Sequence, residues 1–162
     1  MTRLTRRAVL LGGGILAVGA AGAAYVLDII PREHDRALVF ATDGVAIHGT
    51  DPVGYFREGR PVQGDPAIAA EWKGAEWHFA TAENRDAFLA DPEAFAPKYG
   101  GFCAWAVAEK GELYSTQPEN WAIVDGQLYL NFNDDVQERW EKDVPYFIVE
   151  GDRRWFEIVD SL

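Results

Sequence analysis

Two pairs of apolar segments, each joined by a two-residue turn ending in glycine, most constrain how this chain can fold. In the later pair, residues 121–124 and 128–132 flank Asp125-Gly126. Asp-Gly is the strongest short hairpin signal, because both central residues of the favoured turn take positive φ. In the earlier pair, residues 67–72 and 75–81 flank Lys73-Gly74. There the two-residue period of a strand sets Trp77 and Phe79 on one face and His78, with Glu76 and Ala80, on the other.

Between and after these hairpins the period becomes helical. Residues 82–90 carry Glu83 and Asp86 early, where acids suit the positive end of a helix, and direct Phe88 and Leu89 to the core. Asp91-Pro92 ends that helix and opens a second, short one reaching about residue 97, with Asp91 as its cap. A further short helix over 102–108 follows Gly100-Gly101 and stops at Gly111. Asn133 caps another, with Val136 and Trp140 four residues apart on one face. Residues 145–159 read as a last helix weakened by Gly151. Upstream, residues 37–40 read as a short strand ended by Asp43-Gly44, and residues 45–56 as a strand turning at Asp51-Pro52 into an aromatic patch. The expected fold is α+β: a small domain of two antiparallel β-hairpins with several short helices packed on them.

The start of the chain belongs to something else. Arg3, Arg6 and Arg7 precede an uncharged run of twenty residues, 8–27, that Asp28 closes. Thr5-Arg6-Arg7-Ala8-Val9-Leu10 resembles the twin-arginine export signal, and the five glycines of the run keep its hydrophobicity low, as that route requires. An uncleaved membrane anchor is the alternative, since twenty apolar residues just span a bilayer. The organisation expected is a twin-arginine-like signal or anchor over 1–30, a linker with a short strand over 31–43, and one domain over 44–160. The location expected is the periplasm, with or without tethering to the inner membrane.

Composition narrows the function. The chain of 162 residues is 48% apolar and 13% aromatic, which supports one buried core and excludes wholesale disorder. Its net charge is −11, and residues 31–162, with 12 basic and 25 acidic side chains, carry −13. Phosphate backbones need clustered Lys and Arg, so nucleic acid is not the expected partner. One cysteine excludes an internal disulfide and every zinc site that needs two thiolates. There is no Gly-rich phosphate loop after a strand, no Gly-x-Ser-x-Gly and no Cys-x-x-Cys, which disfavours dinucleotide binding, serine-triad hydrolysis and thioredoxin-type exchange.

Several motifs in fixed order are specific enough to suggest a family. Gly49-Thr50-Asp51-Pro52-Val53-Gly54-Tyr55-Phe56 is followed by Trp77-His78-Phe79-Ala80-Thr81-Ala82-Glu83-Asn84-Arg85, then Asp91-Pro92-Glu93-Ala94-Phe95. Tyr99-Gly100-Gly101-Phe102-Cys103-Ala104-Trp105-Ala106-Val107 and Val124-Asp125-Gly126-Gln127-Leu128-Tyr129-Leu130-Asn131 come after them. This order resembles the YHS-domain family, and within it the exported branch with a twin-arginine signal, over roughly residues 44–156. Better-known YHS modules are metal-associated and carry cysteines after the second hairpin strand. Here Ala80 and Glu83-Asn84 occupy that region and no Tyr-His-Ser tripeptide occurs, so that constellation does not carry over. What matches the exported branch is Cys103, where some relatives are believed to use selenocysteine.

Six residues are the candidates for chemistry. At the first turn of a helix after Gly100-Gly101, Cys103 would meet unpaired N–H groups and a dipole that favour a thiolate, a nucleophile and a soft metal ligand. The alternative is a buried thiol acting as a small hydrophobe among Phe102, Ala104 and Trp105. His48 and His78, facing one cleft with Cys103, would make a Cys/His set suited to copper. Trp105, Asp51 and Tyr55 are candidates for ligand contact, although Asp-Pro is first a turn maker. Trp72, Trp77, Trp105 and Trp121 are numerous enough to line an aromatic pocket. The function expected is an exported, non-enzymatic binding module that handles copper or a small ligand at a pocket bearing Cys103. Its rivals are a thiol-based redox protein using Cys103 and a docking protein for an unidentified membrane complex, with the membrane touched only by the N-terminal segment.

Overall fold

A computed structural model describes residues 38–161, so the segment over 1–30 expected to be a signal or anchor lies outside the described residues. The fold is α+β. In chain order it comprises β1 (Ala41–Thr42), β2 (Val45–Ala46), α1 (Pro52–Glu58), β3 (Asp65–Trp72), β4 (Ala75–Phe79), α2 (Ala82–Ala90) and α3 (Pro92–Phe95). There follow α4 (Ala104–Lys110), β5 (Trp121–Val124), β6 (Gln127–Leu130), α5 (Asp134–Glu141) and α6 (Val144–Asp160). Among the described residues no helix is long and apolar enough to cross a membrane.

Both expected hairpins form around their Xaa-Gly turns. Trp72 pairs with Ala75 across Lys73-Gly74, and Val124 pairs with Gln127 across Asp125-Gly126. The central residues have φ of 49° and 75° in the first turn and 51° and 76° in the second, the signs a two-residue hairpin turn demands. A third hairpin, between β1 and β2, turns at Asp43-Gly44. β2 then lies parallel to β4, so the larger sheet is four-stranded and mixed, in the order β1-β2-β4-β3. The short strand expected at 37–40 is not found there: residues 38–40 are irregular, and β1 covers Ala41–Thr42 just after them.

The segment 45–56 differs most from expectation. The strand stops at Ala46, and Ile47, His48 and Gly49 all take positive φ, so the chain turns left-handed at once. Asp51-Pro52 then begins a helix. The Asp51 carboxylate accepts hydrogen bonds from the N–H groups of Val53 and Gly54, while Pro52 stands at a position whose N–H would be unpaired anyway. At Asp91-Pro92, where the cap was expected, the helix α3 forms but the aspartate side chain makes no capping bond. Phe88 is fully buried as expected, whereas Leu89 is half exposed.

The core has two parts, and the β5–β6 hairpin is the wall between them. Leu128 and Leu130 join Ile47, Val53, Trp77, Phe79 and Phe88 on one side. Tyr129, pointing the other way by the period of a strand, joins Tyr99, Ala104, Val107 and Trp140 on the other. The long helix α6 covers this second part. Gly151 within it is explained by contact, because a Cβ there would lie 2.5 Å from the Tyr99 hydroxyl oxygen and 2.8 Å from Cζ. The outer face of α6 exposes Tyr146, Val149 and Phe156.

Two substitutions test this packing. Asp51→Ala strands several buried donors at once and should lower the free energy of unfolding by about 3 kcal/mol or more in urea titration. Gly151→Ala improves intrinsic helix propensity, yet it should destabilise by about 1–3 kcal/mol, read as a lower Tm, because the added methyl meets the Tyr99 ring.

Candidate functional site

Cys103 is the capping residue of α4 and has no exposed surface. Its Sγ donates to Asn131 Oδ1 at 3.6 Å. That oxygen also accepts the N–H of Trp105 at 3.0 Å, and Asn131 Nδ2 donates to Gln137 Oε1 at 2.8 Å. Burial pushes the thiol above its ordinary value, and the backbone N–H groups of Ala106, Phe132 and Trp105 oppose that shift without cancelling it. The helix start expected to favour a thiolate is present, but desolvation outweighs it. Cys103 is an enclosed thiol and does not line the aromatic cavity described below.

The two histidines do not join it. Nε2 of His48 lies 2.8 Å from the carbonyl oxygen of Thr116, which can only accept, so that nitrogen carries the proton. His78 is 8% exposed, and its Nε2 is 2.7 Å from Glu76 Oε1. Among the described residues no three His, Cys, Asp or Glu side chains are placed to hold a metal ion. The expected set of Cys103, His48 and His78 is therefore not assembled.

The remaining candidates hold the fold together. Asp51 is fully buried; beyond its bonds to α1, its Oδ2 accepts Ala80 N–H at 2.8 Å and Asn84 Nδ2 at 2.7 Å. Tyr55 is 1% exposed, donates its hydroxyl to the Pro118 carbonyl at 3.0 Å and packs on Trp121. Trp105 is half-buried, with Arg139 and Lys110 lying 5.7 and 5.8 Å from its ring centre.

A cavity of about 540 Å³ opens elsewhere, where the β3–β4 turn, α3 and the end of α6 converge on residues 98–100. Trp72, Trp77, Tyr99 and Trp155 supply aromatic walls, and Lys73, Lys98 and Glu93 supply charge. Of the tryptophans expected to line a pocket, Trp72 and Trp77 do so, and Trp155 joins them. Tyr99 is the keystone of this wall. Its φ of 56° begins three successive left-handed residues, Tyr99, Gly100 and Gly101, which aim its ring between Tyr129 and Trp155. Gly100 is obligatory there, because any Cβ would collide with the carbonyl oxygen of Leu38. The Tyr99 hydroxyl donates to Asp152 Oδ1 at 3.1 Å, and burial, reinforced by the Asp152 charge, raises its pKa well above that of a free phenol. Tyr129 beneath it is pushed up to about 12, chiefly by burial. The sequence held one signal for this site: a glycine inside an otherwise helical run marks a close approach, and Gly151 lies one turn before Trp155.

No protein-family model matches the chain, and neither a curated protein nor a solved structure matches it.

The enclosed thiol and phenols give two expectations. Iodoacetamide should leave Cys103 unmodified in native buffer and alkylate it in guanidinium; rapid native modification would contradict the burial. Cys103, Tyr55, Tyr99 and Tyr129 all have raised folded pKa values, so each holds its proton in the folded state after the unfolded chain has released it. Their contribution is complete below the free values of 9.0 for the thiol and 10.0 for tyrosine, and is lost as pH rises through the folded ones. Urea midpoints should therefore fall above pH of about 9, and Tyr129→Phe should flatten the decline between pH of about 10 and 12.

Proposed function

We propose that this chain is a small-ligand binding module, YHS-like in the order of its motifs and exported on its twin-arginine-like leader, whose ligand occupies the aromatic cavity and not Cys103. The observation that carries the reading is the cavity itself. At about 540 Å³ it lies within the range of small-molecule sites, and aromatic walls with a few polar groups are the usual chemistry of such sites. Among the described residues its lining offers aromatic faces, two lysines and a glutamate, groups suited to holding and orienting a ligand. Support also comes from the backbone, since non-glycine residues held at positive φ cluster at ligand clamps and Tyr99 is one.

The test uses N-phenyl-1-naphthylamine, an uncharged aromatic fluorophore. The domain should bind it at one site, quenching tryptophan emission as the probe brightens. Val159→Asp at the exposed lip, and Trp155→Leu in the wall, should each weaken binding about tenfold, while Cys103→Ala leaves it unchanged. A probe that binds equally well to both pocket variants ends the proposal.

A further inference from the structure

Which ligand the cavity takes is written in how its charges are arranged. Lys73 Nζ lies 4.4 Å from the ring centre of Trp72, and Lys98 Nζ 5.9 Å from that of Tyr99. Two faces that could attract a ligand cation are thus already used by the protein's own ammonium groups. Each lysine has a carboxylate opposite it. Glu93 Oε1 is 2.7 Å from Lys73, and Asp152 Oδ1 is 3.5 Å from Lys98. The two carboxylates are not equivalent. Asp152 is also held by the Tyr99 hydroxyl, whereas the Glu93 side chain is 72% exposed and accepts its hydrogen bond from Lys73. An exposed ion pair of this kind is weak, so Glu93 is readily exchanged for another acid.

We infer that the ligand is a flat, apolar molecule bearing one acidic group, a carboxylate or sulfonate, and that Glu93 holds the place of that group at Lys73 while the cavity is empty. This assignment rests on the binding proposal above and adds the chemical class of the ligand. The aromatic body lies against Trp72, Trp155 and Tyr99. The acid displaces Glu93 from Lys73, with Lys98 as the second cation at the same cavity, and Glu93 turns out into water. The exchange leaves the mouth of the cavity with balanced charge, since the ligand brings in the negative charge that Glu93 takes away. A neutral body would leave the Lys73–Glu93 pair in place, and a cation would meet two ammonium groups. Local cations are needed here because the chain as a whole, at a net −11, repels anions.

Two fluorophores that share one aromatic body separate the outcomes: 8-anilinonaphthalene-1-sulfonate carries the acid, and N-phenyl-1-naphthylamine lacks it. The sulfonate should bind more tightly than the neutral probe to the folded domain. Lys73→Gln should weaken sulfonate binding about fivefold and Lys98→Gln about threefold, with the neutral probe unaffected. Glu93→Gln, which removes the competing acid without touching the walls, should tighten sulfonate binding about threefold. Lys73, Lys98 and Glu93 are partly exposed, so these variants are expected to fold, and unchanged near-ultraviolet circular dichroism checks it. Equal affinity for the two probes, or sulfonate binding indifferent to all three substitutions, overturns the anion assignment while leaving the cavity as a site. If neither probe binds, both the assignment and the binding proposal fall.

Discussion

The Asp51 carboxylate is the contact on which the rest of this domain depends. One oxygen accepts the N–H groups of Val53 and Gly54 at the start of α1, and the other accepts Ala80 N–H just after β4 and the Asn84 amide on α2. Asn84 in turn accepts from Arg57 of α1 at 2.6 Å. A wholly buried acid is costly unless its lone pairs are filled, and here four donors fill them, two from α1, one from Ala80 just after β4 and one from α2. The same bonds fix the sheet against α1 and α2, which leaves β4 free to present Trp77 to the core and to the back of the cavity.

That contact also shows where reading the sequence stops. Asp-Pro occurs at 51 and at 91, and the same capping rule applies to both. The rule placed a cap at Asp91, where the side chain makes none, and a mere turn at Asp51, where the cap is real. Nothing local separates the two. The difference is Asn84 and Ala80, about thirty residues downstream, which supply the donors that draw Asp51 inward. By contrast, the hairpins at Lys73-Gly74 and Asp125-Gly126, the helix over 82–90 and the Asn133 cap were legible, because a positive-φ turn or a side-chain cap is decided within four residues.

The candidate site was legible in its residue types and not in its location. Cys103 has the local setting of an activated thiol, a helix start with converging N–H groups, but whether such a setting yields a thiolate depends on how much water reaches it. Asn131, twenty-eight residues later, accepts the thiol's hydrogen bond inside a closed space. The aromatic cavity draws on residues from Leu38 to Val159, so no window of sequence contains it. Trp72 and Trp77 were among the tryptophans expected to line a pocket; Trp105 and Trp121 do not line this one, and Tyr99 and Trp155 were not anticipated.

The hairpin that divides the two halves of the core has a consequence for how the domain comes apart. Leu128 and Leu130 belong to one half and Tyr129 to the other, along a single strand. Melting either half would uncover one side of β6 and remove the support for the other, so neither half is a separate foldon. Opening that exposes β6 then requires both halves of the core to be lost together, as in global denaturation.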